Sequence, residues 1–443
     1  MKNYLILLLI FFSPLISQGQ DKWDLKSCIA YGLKNHRSRN VYSNEQLAAQ
    51  AKAKEALAAY LPSISINGST DNNLKVQETI IPAGLFGPTD TRVAFTKKFT
   101  TTGTVQLDQT IYDQELITGL KANKYNSKLA ALNVVANDET IIYNISTAYY
   151  QIFVYREQLE FLKANQKTYA QQLAISKLQV DKGVAMESDL NKIQVNYNNN
   201  QAEVVAAESN VTLSENQLKN AMGLALSAAL NVDPSANELP PNLNLIPESN
   251  SFSESNRNEY QVAEVNTSLL DIDQKRSRAG ILPKISFYGR YGGNGFGDKI
   301  GESFSTITDF SAIGLKLSMS LFDGFKRGAV YNQAHYKYLN SLENLNLDKE
   351  KYRLEYENAR TKMLREQVNV ENNRRNIELA ESVFKSTDLQ YQKGVTGLTE
   401  WLDAQNSIND AQNNYLNSLY NFYLARIDLE KANGTLTNFY SSL

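Results

Sequence analysis

Few residues of this chain are of the kinds that make or break bonds. Its 443 residues include two histidines, His36 and His335, and one cysteine, Cys28. These fall in separate helical stretches, so neither a metal cluster nor a nucleophile triad can be assembled from them, and no enzyme activity, metal or cofactor is expected. Carboxylates are the other candidates. Glu400 and Asp403 are spaced i, i+3 and share one helix face. Such a pair is too close and too exposed to act as the acid and base of a glycosidase, which must flank a sugar. What acidic residues here can do is place negative charge near the start of a helix, where the backbone dipole favours it. Ser188 and Thr399 mark two places where a helix begins beside acidic residues.

Both places belong to one stretch that occurs twice. Leu178 to Leu190 and Leu389 to Leu402 each contain a Lys-Gly-Val triplet with a long helical pattern on either side. Gly183 and Gly394 suit the left-handed position that closes a helix, so each stretch reads helix, tight turn, helix. These glycines are 211 positions apart, and so are Gly223 and Gly434. The spacing predicts two equal halves, each a long helical hairpin.

The N-terminal stretch has Lys2, an apolar run from Tyr4 to Ile16, then Ser17 and Gly19, the three parts of a secretory signal peptide cleaved after Gly19 or Gln20. At 13 residues the run falls short of the roughly 20 that a spanning helix needs. Cys28 lies well past this run, away from a lipid-acceptor position. A lone thiol forms no internal disulfide, so a buried, inert side chain is expected. A net charge of -2 and a mean hydropathy of -0.40 argue against nucleic acid as a partner. No later apolar run is long enough to span a bilayer as a helix.

Helical and strand periods alternate along each half. Asp24 to Leu61 reads as a helix that stops at Pro62, because a residue before proline avoids the helical region. Ile64 and Ile66 then alternate with Ser63, Ser65 and Asn67, and Val105, Leu107 and Ile111 alternate with Gln106, Asp108 and Thr110 on a returning strand. The second half repeats this at Leu282-Pro283, with Ile285, Phe287 and Tyr291 on one strand and Ile313, Leu315, Leu317, Met319 and Leu321 on its return. Each return runs into a long helix, 113–182 or 323–393. Ile145, Ala148, Ile152, Tyr155, Leu159, Leu162, Gln166, Tyr169, Leu173, Ser176 and Val180 follow 3,4 spacing and mark a coiled-coil seam in the first, which Tyr352, Tyr356, Ala359, Met363, Val370, Ile377, Ala380, Phe384 and Tyr391 repeat in the second. A helix over 113–182 is roughly 105 Å long, too long for a compact domain of this size. The opening and return helices are about half that length, so two stacked end to end match one long helix.

The division that follows is a signal peptide at 1–20 and two structural repeats. The first, 21–250, has an opening helix, a β-hairpin at 62–112, a long helix at 113–182, a tip at 183–187, a return helix to 222 and an equatorial linker at 223–250. The second, 251–443, has an opening helix, a β-hairpin at 283–322, a long helix at 323–393, a tip at 394–398, a return helix to 433 and a C-terminal tail.

Four strands with an apolar stripe cannot close a membrane barrel, which needs at least about eight. Lipid does not tolerate unpaired strand edges, so the chain must share its barrel with copies of itself. This plan resembles the TolC-like outer-membrane efflux protein family over essentially the whole mature chain. The matches are Tyr60-Leu61-Pro62 and Ile281-Leu282-Pro283, Ile111-Tyr112-Asp113 and Leu321-Phe322-Asp323, the two Lys-Gly-Val tips, and the endings Met222-Gly223 and Asn433-Gly434.

The resemblance implies an α+β membrane protein. Duplicated helical hairpins and β-hairpins would assemble as a homotrimer with a twelve-stranded β-barrel, four strands per chain, continuous with a long α-helical periplasmic tunnel. It would lie in the outer membrane of a Gram-negative bacterium, in contact with its lipid, and conduct substrates without covalent chemistry. Its implied partners are a periplasmic adaptor (membrane fusion) protein and an inner-membrane pump of the resistance-nodulation-division (RND) or ABC type.

By the same resemblance, Glu400 and Asp403 fall where the family places an acidic pair ringing the closed periplasmic entrance. Asp189 with Ser188 matches the partner positions of the first repeat, and Tyr391 matches an aromatic that hydrogen-bonds to them when the entrance is shut. Thr396 stands where some relatives carry an arginine that also ties the gate. Gly183-Val184 and Gly394-Val395 resemble the exposed tip motif that docks adaptor hairpins. On the residues alone, glycines that cap and valines that pack explain them equally well. Two other readings stay open: an outer-membrane component of type I protein secretion, and a non-conducting coiled-coil surface or structural protein.

Overall fold

The computed structural model describes residues 23–84, 87–232 and 252–443. The expected signal peptide and positions 233–250 of the expected linker lie outside them. Helix α1 (Leu25–Asn35) starts where Asp24 accepts the Ser27 N–H at 2.7 Å, and it ends at His36, whose backbone is extended. Helix α2 (Arg37–Ala58) follows at once, so the opening helix expected as one piece over 24–61 is broken at His36. Beyond it the Tyr60 hydroxyl donates to the Ile111 carbonyl at 2.8 Å, tying the turn before Pro62 to the end of the returning strand.

The first hairpin is larger than its sequence pattern suggests. Between β1 (Ser63–Asn72) and its return sits an added pair of short strands, β2 (Glu78–Ile81) and β3 (Thr91–Ala94). The return strand β4 (Phe99–Tyr112) has a bulge between Thr110 and Tyr112. In the second hairpin β5 (Lys284–Gly297) and β6 (Ile307–Ser318) are joined through a short 3-10 turn, and β6 stops at Ser318 rather than Leu321. The main sheet is antiparallel in the order β1-β4-β5-β6, so the central pairing joins the two halves of the chain. β1 and β6 are its edges, and the sheet does not close on itself.

Register sorts the sheet into two faces. Ser65, Gln106, Arg290 and Ala312 form one cross-strand row, and Ile64, Leu107, Gly289 and Ile313 form a row on the opposite face. Ile66 and Ile313 are each 81% exposed, so the apolar face is uncovered within the chain. An apolar face beside a polar one is the pattern of a barrel wall between lipid and water.

Asp113 caps α3 (Gln114–Leu120) by accepting the Leu116 N–H at 3.0 Å. The Lys121 N–H reaches back only three residues, to Thr118, and this separates α3 from the 60-residue α4 (Ala122–Asp181). The remaining helices are α5 (Glu187–Met222), α6 (Asn258–Ala279), the 67-residue α7 (Lys326–Gln392), α8 (Leu398–Asn433) and α9 (Leu436–Ser442). The chain forms two compact units, and each draws on both halves of the sequence.

One unit comprises residues 42–134 and 259–349 and contains the sheet. There Lys284, at the start of β5, lies 3.1 Å from both Asp113 and Glu115, and Arg276 lies 3.5 Å from Glu115. The other unit gathers residues up to Val41, 135–258 and 350–443. Its core is built from Ile29 on α1, Ile145, Tyr149 and Ile152 on α4, Met222 on α5 and Phe422 on α8. Tyr150 stacks on Tyr423 with ring centres 4.1 Å apart. Of the expected seam residues, Ile145, Ala148, Ile152, Tyr169 and Ser176 on α4 and Tyr352, Met363 and Val370 on α7 are buried, and the others are half-buried. Cys28 is fully buried in this core, and burial, aided by the Asp24 charge, pushes its thiol up to about 12.

Candidate functional site at the helix turns

Helices α4 and α7 end in the same way. Gly183 has φ 72° and Gly394 has φ 70°. The glycine N–H groups donate to Val180 and Tyr391 carbonyls at 2.9 Å, and the following valines donate to Gln179 at 3.0 Å and Gln390 at 2.9 Å. This pair of bonds closes a helix and requires the left-handed backbone. Nothing lies within 4 Å of where a Cβ would stand on either glycine. Val184 and Val395 are 75% and 74% exposed, so neither valine packs within the chain.

The helices restart at Met186 and Gly397, neither of which caps through a side chain. Ser188 and Thr399 therefore sit inside the first turns rather than at the caps. Glu187 and Asp189 on α5 and Glu400 on α8 bring negative charge to those turns, where the dipole favours it. The Glu400 carboxylate folds back toward Gly397.

Just beyond the turns, four helices meet in a small apolar cluster. Tyr169 on α4, Ile193 on α5, and Leu398 and Trp401 on α8 are buried, and Phe384 and Tyr391 of α7 pack against them. The Trp401 indole N–H donates to Asp388 Oδ1 at 2.8 Å, and the second oxygen of Asp388 accepts from Gln392 at 2.8 Å. Further along, the amide of Asn165 donates to Asn409 and Gln412 at 2.9 Å, and Gln405 donates to Asn409 at 3.1 Å. The amide nitrogens of Asn165 and Gln405 are satisfied this way, whereas the buried Gln405 Oε1 has no hydrogen-bond partner among the described residues.

The expected site residues divide between this cluster and the surface. Tyr391 is half-buried, its ring centre 6.4 Å from that of Trp401. Glu400 and Asp403 are exposed, while Trp401, Ala404 and Gln405 form the buried side of the same turns. Asp189 is half-buried and pairs with Lys192 at 3.3 Å; Ser188 is exposed. Among the described residues no hydrogen bond joins Tyr391 to Ser188 or Asp189, and no group of three or more metal-ligating side chains converges. Sequence reasoning missed Asp388 and Trp401. Their one visible signal is a tryptophan set between the two acidic residues of the Glu400-Trp401-Leu402-Asp403 run.

The sequence model described as outer membrane efflux protein matches residues 34–224 and 253–435. This chain belongs to that family. It is 23% identical over 362 residues to the outer membrane protein TolC of Vibrio cholerae, covering 75% of this chain and 76% of that one. It is 20% identical over 238 residues to the alkaline protease secretion protein AprF of Pseudomonas aeruginosa, covering 53% and 49%. Among solved structures, CusC matches with a TM-score of 0.76 at 16% identity, covering 93% of this chain and 92% of that one.

The family consists of channel proteins, and its members here fix the reading of the open sheet. The fold is a TolC-like α+β membrane fold, in which each chain of a trimer contributes four strands to one barrel that continues into a helical tunnel. The protein is an outer-membrane exit duct of an efflux or secretion system, and the non-conducting stalk is set aside.

Proposed function

We propose that this outer membrane efflux protein is the last component of a tripartite export system. An inner-membrane pump of the RND or ABC type loads it through a periplasmic adaptor. The Gly183-Val184 and Gly394-Val395 turns are the adaptor-docking tip, and Asp189, Ser188, Tyr391, Glu400 and Asp403 form the periplasmic gate. The two repeats, 21–250 and 251–443, each supply one tip.

One observation carries this reading. Two turns of the same backbone geometry each present an uncovered valine, although a valine at that position ordinarily packs against its own helix. An apolar side chain displayed twice on rigid turns suits capture by a partner hairpin. Acidic residues behind the turns, repeated by three-fold symmetry, make a ring that favours cations and resists anions. The test is co-purification of the trimer with the adaptor of its own export system. Binding by the parent and by a Val184→Asp, Val395→Asp variant alike rules the tip out as the docking site.

The similarity to AprF, whose name describes alkaline protease secretion, favours a second reading in which the cargo is a secreted protein. Deleting the gene separates the two. Loss of one protein from the culture medium supports secretion, and sensitivity to small toxic compounds supports efflux.

A further inference from the structure

We propose that Trp401 and Asp388 form a lock that sets the rotation of α8, and thereby the direction in which Glu400 and Asp403 point. This rests on the gate reading and adds two positioning residues to it. Trp401 is 1% exposed and reaches three other helices. Its ring centre lies 5.6 Å from Phe384 and 6.4 Å from Tyr391 on α7, and 6.1 Å from Tyr169 on α4; Ile193 of α5 completes the pocket. The indole N–H is held by Asp388 at 2.8 Å, and Gln392 orients the carboxylate from one turn further along α7. Asp388 and Trp401 meet only because the Gly394 turn folds α8 back along α7.

Helix geometry couples this contact to the acids. At 3.6 residues per turn, Glu400 and Asp403 are about 60° apart, and Trp401 stands roughly 130° from the direction midway between them. Turning α8 by about 30° would redirect the carboxylates and carry the indole, roughly 6 Å from the axis, through about 3 Å. A hydrogen bond of 2.8 Å does not survive such a displacement. The acids therefore cannot be re-aimed by rotating α8 while the Trp401–Asp388 bond persists. A bond to an ionised carboxylate is among the stronger ones available, which suits a lock.

Trp23 and Trp401 are the two tryptophans of the chain, so Trp23→Phe leaves Trp401 as the single indole reporter. In that background we expect Asp388→Ala to shift Trp401 emission to longer wavelength and to increase acrylamide quenching at least twofold in the detergent-solubilised trimer. In planar bilayers the same change raises single-channel open probability at least threefold. Asp388→Asn, which keeps an acceptor oxygen, restores most of the parent behaviour.

Trp401→Phe, which keeps a ring but loses the N–H, should reproduce the gating effect, and adding Asp388→Ala should increase it no further. The lock is wrong if the Asp388→Ala or Trp401→Phe trimer gates like the parent, or if emission shifts while open probability does not. It is wrong as well if the two changes add independently. The gate reading is tested separately, by the selectivity of a variant lacking Glu400 and Asp403. That selectivity can fail to change while the lock effect is present, and the reverse.

Discussion

Replacing both Gly183 and Gly394 with valine should weaken adaptor docking while leaving the trimer assembled. The two glycines have φ near 70°, and no atom lies within 4 Å of a Cβ built on either. The cost is therefore purely conformational. A non-glycine residue in the left-handed region loses about 1–2 kcal/mol, so the pair loses ~2–4 kcal/mol. If the native turn is required at both tips for docking, affinity falls roughly 30- to 1,000-fold. The strain stays local, because the tip valines are exposed and the core around Ile145 and Phe422 is not touched.

The companion substitution Gly434→Val should behave differently. A Cβ there lies 2.6 Å from the Asn256 carbonyl oxygen, so it clashes with backbone and lowers the thermal transition of the whole protein. Asparagine tolerates the left-handed region, so Gly183→Asn with Gly394→Asn should restore most of the affinity. The assay is biolayer interferometry of the purified trimer against its adaptor, with circular dichroism melts alongside. Parent-like affinity in the double valine variant refutes the reasoning, and so does a melt lowered as far as that of Gly434→Val.

Glu400→Ala with Asp403→Ala should lower cation selectivity, read as a reversal potential closer to zero, and relieve block by divalent or trivalent cations from the periplasmic side, since hard cations prefer clustered oxygens. Tyr391→Phe keeps the ring packed on Trp401 but removes the hydroxyl. It should raise open probability in the same recordings and leave selectivity nearly unchanged. The Cys28 thiol, pushed up to about 12 by burial and the Asp24 charge, should not react with a chromogenic disulfide reagent at pH 8 until the protein is unfolded. Because its folded value is raised, the stability linked to this thiol is complete below an unfolded value of roughly 8.5. It is lost as pH climbs from there toward about 12, so melts of the parent should decline in this window more than those of Cys28→Ala.

Chain-local chemistry made much of this protein legible. The glycines after α4 and α7 are readable because the left-handed region is nearly closed to other residues, and the turn bonds involve only neighbours within five positions. The strands announce themselves by a period of two and the seams of α4 and α7 by 3,4 spacing, since one face of each must be apolar. Four strands imply partner chains for the same reason, because an edge left open in lipid is untenable.

What stayed hidden depends on segments far apart in sequence. The bend at His36 has no proline or glycine beside it, the break at Lys121 is marked only by Gly119, a single glycine of the kind helices often tolerate, and the β2–β3 extension lies in a stretch with no clear period. That β4 pairs with β5 follows from the packing of two hairpins more than 170 residues apart, which neither strand encodes alone. Asp388 and Trp401 look like a surface acid and a core aromatic until the Gly394 turn sets α8 against α7. Periodicity assigns each residue a face, and only the tertiary structure brings two faces into hydrogen-bonding register.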